Sequence, residues 1–151
     1  MIDRINIIVN NLYNSQLCYY VSKELNLIRK NFPNIDCIVF IEEPSPFTIT
    51  PFFGIMNIAE VYDQPGLTIA TSLSTAKRLI ACWAPQHRVF YSWDLFWLRG
   101  RQKVYEPYFH IYNGEYDVVA RNIEHKTIIE NNFNVKVKGI VENFNISEFI
   151  R

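Results

Sequence analysis

Apolar side chains along this chain switch between two spacings. Residues 5–9 form a compact, largely β-branched run, and residues 15–31 then place Leu17, Tyr20, Val21, Leu25 and Ile28 on one face at helical spacing. Asn14 or Ser15 can cap that helix, and Asn31, Phe32, Pro33 and Asn34 end it. Residues 37–41 are apolar throughout, as expected of a strand that helices cover on both faces. The three segments make a βαβ unit.

The alternation continues to the end of the chain. Residues 42–51 hold three prolines and read as an exposed loop, residues 53–62 as a short helix, and Pro65 and Gly66 as a turn. Residues 67–70 are a third strand, followed by a helix capped by Ser72 or Ser74. That helix runs to Trp83 with Leu73, Ala76, Leu79 and Ile80 inward. Residues 89–93 make a fourth strand, and residues 95–114 are the least regular part. Tyr116, Val118, Val119 and Ala120 then form a fifth strand. Asn122 caps a helix carrying Ile123, Ile128, Ile129 and Phe133, for which Asn131 and Asn132 are the expected stops. Residues 137–141 supply a sixth strand. The pattern predicts one domain over residues 1–151: an α/β fold with a single Rossmann-like, doubly wound, mostly parallel sheet of about six strands and helices on both faces.

Composition narrows the function classes. The 15 acidic and 15 basic residues balance, so no whole-protein field draws nucleic acid or an anionic membrane. The first residues hold an acid and a strand rather than a basic, apolar signal, and no apolar run reaches the roughly 18 residues of a membrane span. A soluble chain of the cytoplasm is expected. Cys18, Cys37 and Cys82 lie singly in apolar segments and read as buried, reduced thiols. His87, His110 and His125 have no metal-ligand spacing, and no metal is expected. The bias toward Ile, Asn, Phe, Tyr and Lys fits an AT-rich genome, a bacteriophage being one such source.

In an open parallel sheet, ligands bind outside the carboxyl ends of the strands. After the first strand come Asn10, Asn11, Tyr13 and Asn14; after the third, Thr71, Ser72, Ser74 and Thr75; after the fourth, Ser92 and Asp94; after the fifth, Arg121, Glu124 and His125. The first turn has no glycine, and there is no phosphate loop, so neither a nicotinamide or flavin cofactor nor an NTPase is expected. Asp94 at a strand end can orient a hydroxyl or act as a general base, and it can equally cap a turn. His125, on the first turn of a helix, can shuttle a proton or simply face solvent. Thr71 to Thr75 can hold an anion or cap the helix. Asn11, Ser72, Ser74, Arg121 and Glu124 are the candidate substrate-binding residues around these two.

Residues 88–112 mix aromatic and basic side chains. Trp93, Trp97, Arg99, Arg101 and Tyr105 suit a protein interface, stacking against a ligand, or ordinary packing.

The order of elements, and especially YDVVARNIEHKTIIENNF followed by GIVENFNI, resembles the N-terminal half of GT-B glycosyltransferases. Arg121 to His125 match the helix start of that family, and Val141 to Asn145 stand where its chain crosses to the nucleotide-sugar domain. The resemblance implies a sugar or other hydroxyl acceptor near Asn11, Ser72, Asp94 and His125. It also implies a nucleotide-sugar-binding half supplied by a partner chain or by self-association, because residues 1–151 contain none and the glycine-rich acceptor loop is replaced by NNLYN. A non-catalytic module that presents the aromatic stretch to a partner is the other expectation.

Overall fold

The computed structural model describes residues 2–99 and 106–149. Within them, seven strands form one sheet: β1 (Arg4–Ile8), β2 (Asp36–Ile41), β3 (Gly54–Asn57), β4 (Leu67–Ala70), β5 (His87–Ser92), β6 (Asp117–Ala120) and β7 (Gly139–Ile140). Their order is β3-β2-β1-β4-β5-β6-β7 and every neighbouring pair is parallel. Four α-helices pack against it among the described residues: α1 (Gln16–Asn31), α2 (Leu73–Ala81), α3 (Glu106–Tyr112) and α4 (Ile123–Phe133).

The strand period of two sorts the core into two layers. Ile5, Ile7, Val39, Ile69, Tyr91 and Val119 face α1, whereas Ile8, Phe40, Ala70, Phe90 and Val118 face α2, α3 and α4. Right-handed crossovers explain the division, because the chain builds outward from β1 to β3 with a helix on one face. It then returns beside β1 and builds the other way with helices on the opposite face. The order therefore reverses between β1 and β4.

Local chemistry sets the helix boundaries. Ser15 caps α1 by accepting the Cys18 amide, and Ser72 and Thr75 form a reciprocal capping box on α2. The buried stripe of α1 runs through Cys18, Val21, Leu25 and Ile28, with Leu17 and Tyr20 only partly covered. On α2, Ile80 is 44 % exposed rather than inward, and the helix ends at Ala81 instead of reaching Trp83. Asn122 caps α4 as expected, but the helix passes Asn131 and Asn132 to Phe133. Asn134 then takes the left-handed conformation that closes a helix.

One predicted helix is a strand. Of residues 53–62, Gly54–Asn57 pairs with β2 as the edge strand, and only Ile58–Glu60 forms a 3-10 turn, capped by Asn57. Too few residues follow Phe53 for helical periodicity to separate the two. The crossover into β3 has no helix; its loop runs over α1, where the Asn26 side chain donates to the Thr50 carbonyl and accepts the Phe52 amide. The sixth predicted strand, residues 137–141, shrinks to β7, flanked by amide bonds from Lys138 to Val118 and from Val141 to Ala120.

Beyond β7 the chain turns back under the sheet through two 3-10 turns, Glu142–Phe144 and Ile146–Phe149. The Tyr91 hydroxyl donates to the Val141 carbonyl, Phe144 packs edge-on to Tyr91 at 5.0 Å, and the Ser147 amide donates to Glu24 on α1 at 3.3 Å. Cys18, Cys37 and Cys82 are buried free thiols, and burial raises the pKa of each, that of Cys37 to about 12.

Gly66 precedes β4 at φ +100, where a Cβ would lie 2.5 Å from the Arg4 carbonyl oxygen. Gly66→Ala is expected to lower unfolding free energy by about 2 kcal/mol or more through combined strain and overlap. Urea denaturation checks this; a loss below about 0.5 kcal/mol contradicts the close approach.

Candidate functional site

Two polar patches line the carboxyl edge of the sheet. The first lies at the reversal between β1 and β4. Asn10, the second residue past β1, donates through Nδ2 to Ser74 Oγ at 3.0 Å and accepts from Ser72 Oγ at 3.2 Å. The two serine hydroxyls are 3.0 Å apart. Thr71 Oγ1 donates to the Ile8 carbonyl, and Thr75 Oγ1 accepts the amides of Thr71 and Ser72, so the start of α2 is stitched to the end of β1.

Glu42 extends this network from the end of β2. Its amide donates to the Asn10 carbonyl, and its carboxylate meets Arg78 of α2 at 2.5 Å; Arg78 also donates to the Tyr62 hydroxyl at 3.1 Å. The Arg78 hydrogen bond holds the Glu42 carboxyl below its ordinary range. Asn11, by contrast, spends its side chain locally: Oδ1 accepts the Tyr13 amide at 3.1 Å. Asn10, rather than Asn11, therefore joins the loops across the divide.

The second patch follows β5 and β6. The Arg121 guanidinium lies 4.1 Å from the centroid of the Trp93 ring and donates to Gln16 Oε1 at 2.6 Å. Trp93 packs against Tyr20 and Tyr91 beneath it. Asp94 pairs with Arg99 at 3.1 Å, both well exposed. Asn122 accepts the His125 amide, which sets the imidazole on the first turn of α4 behind Ser92 and Asp94. Glu124, beside it, points to solvent.

The pKa of His125 is held below the ordinary histidine value. Burial lowers its pKa first and the Arg121 charge lowers it further, while Asp94, a backbone hydrogen bond at Ser92 and Glu124 act in the opposite sense. Its Nδ1 is buried and has no hydrogen-bond partner. A neutral imidazole can accept a proton from a hydroxyl, and the Asp94 and Arg121 charges act on this one in opposite senses.

The structure thus groups Asp94, Arg121 and His125 at one end of the edge, and Ser72 and Ser74 at the other. It separates the residues expected to form an aromatic interface. Trp93 and Trp97 are core side chains, 7 % and 5 % exposed. Trp97 donates to the Tyr112 hydroxyl at 3.2 Å and meets Phe133 edge-on, because the irregular stretch supplies the cover that α3 and α4 share. Arg99 is engaged by Asp94, and Arg101 and Tyr105 lie outside the described residues. Among the described residues of this stretch, Phe96, Leu98 and Phe109 are exposed apolar side chains.

Glu42, Arg78 and Gln16 were not among the expected site residues. Glu42 directly follows an apolar strand, and Arg78 stands four residues after Ser74 on the same helical face, so the strand-end rule and helical spacing together point to both. Among the described residues no cluster of three His, Cys, Asp or Glu side chains is arranged to hold a metal, and no helix is long and apolar enough to cross a membrane. No protein family, curated protein or solved structure matches the chain.

The depressed His125 pKa has a signed consequence. Between the ordinary value of 6.5 and the lower folded one, the unfolded chain binds more protons than the folded protein, so this residue makes stability fall as pH drops through that window. His125→Gln is expected to remove that part of the slope as pH falls through and below 6.5, leaving the opposite contribution of Glu24, whose carboxyl burial pushes up. NMR titration of the imidazole and urea midpoints across the range check both statements; a His125 midpoint above 6.5 contradicts them.

Proposed function

We propose that this chain is a glycosyltransferase-like domain that presents a sugar or other hydroxyl acceptor at the carboxyl edge of its sheet. The nucleotide-sugar-binding half is supplied by a partner chain or by a second copy. The neutral, partly buried His125 beside Asp94 and Arg121 is the observation that carries this reading. It stands where α/β sheets place their ligands.

In the proposed reaction the acceptor hydroxyl attacks the anomeric carbon of the donor. The bond from that carbon to the departing nucleoside diphosphate breaks as the new glycosidic bond forms. His125 takes the hydroxyl proton, and the Asp94 carboxylate stabilises the resulting imidazolium. Arg121, fixed by Trp93 and Gln16, keeps the ring neutral until the proton arrives.

Co-expression with candidate donor-binding domains, followed by assay against a panel of nucleotide sugars, tests the proposal. Turnover should fall by about 10²-fold or more in His125→Gln. Absence of both nucleotide-sugar binding and turnover, alone and in every pairing, overturns it.

The exposed Phe96, Leu98 and Phe109 favour a second reading, a non-catalytic module that uses this face as a protein interface. Light scattering separates the two readings. A monomer that transfers sugar with a soluble donor domain removes the second, and an inactive, self-associating chain removes the first.

A further inference from the structure

Beside the β1–β4 reversal, on the α2 side of the sheet, lies a cavity of about 400 Å³. Its size falls in the roughly 300–1,000 Å³ range of small-molecule sites. Glu42, Ser74, Lys77 and Arg78 line its polar part, and Phe96 and Tyr108 line its apolar part. The two rings meet edge to face at 6.1 Å and 70°, which leaves Phe96 48 % exposed.

The charges within it do not cancel. Arg78 is matched by Glu42 at 2.5 Å, whereas Lys77 makes no ion pair among the described residues. Among the described residues, one positive charge is left at a polar and aromatic cavity on the ligand edge of the fold. Ser74 already belongs to the Asn10 and Ser72 network, so its hydroxyl is held in place rather than free to rotate away.

We propose that this cavity binds a hexose carrying one anionic group, a phosphate or a carboxylate. Lys77 pairs with the anion. The carbon face of the sugar ring lies on Phe96 beside Tyr108, and Ser74 and Glu42 accept hydrogen bonds from its hydroxyls. The cavity lies along the edge from His125 and is lined by none of Asp94, Arg121 and His125, so the binding stands without the transferase reading.

Calorimetric titration of the full chain with glucose 6-phosphate, glucuronate, glucose and inorganic phosphate tests the site. An anionic hexose should bind roughly fivefold or more tightly than glucose, as one charge-assisted hydrogen bond warrants, and glucose 6-phosphate should exceed inorganic phosphate by a similar factor. Whether glucose 6-phosphate or glucuronate binds more tightly identifies the anion, and either preference supports the site. Lys77→Met should abolish the advantage of the anionic sugars and leave glucose unchanged, while Phe96→Ala should weaken every sugar but not phosphate. Lys77 is exposed, and Lys77→Gln with an unchanged thermal midpoint guards against a folding defect. Equal affinity for glucose and both anionic hexoses, phosphate binding as tightly as its sugar ester, or no effect of Lys77→Met overturns the proposal. A chain that binds an anionic hexose but transfers to no acceptor leaves this site standing and removes only the catalytic reading. Transfer by a chain that shows no preference for anionic hexoses does the reverse.

Discussion

A parallel sheet must be covered on both faces, and most features of this molecule follow from that constraint. Its seven strands leave little room for polar side chains in their interiors, so the polar groups that remain collect where strands end. Because all the strands run the same way, their ends fall on a single edge. The reversal between β1 and β4 then opens that edge, since α1 departs to one face and α2 to the other. Asn10, Ser72 and Ser74 bridge the gap, while Trp93, Asp94, Arg121 and His125 border it farther along.

The regular part of this architecture is legible in the residues themselves. The β-branched runs at 5–9, 37–41 and 67–70, the caps Ser15, Ser72 and Asn122, and the apolar spacing of α1 all carry short-range signals, and all appear in the fold. β3 does not announce itself, because an edge strand of four residues is held by its pairing with β2 rather than by its own periodicity. The rotation of the α1 stripe toward Cys18 is likewise set by the sheet it meets. For the candidate site, the strand-end rule locates Asp94, Arg121 and His125 but is blind to long-range pairing. It therefore does not reveal that Glu42 and Arg78, 36 positions apart in sequence, pair with one another, and cannot choose between Asn10 and its neighbour.

The aromatic residues show the same limit from the other side. Trp97 and Tyr112 occur in a stretch whose composition suits a surface, yet they fill the layer beneath α4, where Tyr112 stacks on Phe133 at 4.2 Å. Rings of this size supply much of the apolar area buried per residue, and a short helix such as α3 covers its share of the sheet only with their help. Ser92 shows the cost of such packing being offset, since its hydroxyl bonds to that of Tyr112 at 2.9 Å and neither buried oxygen is left alone.

The turns beyond β7 bear on the order in which the molecule is made. Tyr91, Trp93 and Val119 belong to the α1 layer, yet Val141, Phe144 and Ile146 complete their cover. During synthesis, which proceeds from the amino end, the β5 and β6 side of that face stays wet until these turns leave the ribosome. A nascent chain that has made β6 already carries the Arg121 and Trp93 pair, but the floor beneath it is unfinished. A chain synthesised only as far as Phe133 therefore still lacks the ring of Phe144 that lies edge-on to Tyr91, and that part of the layer is open to water.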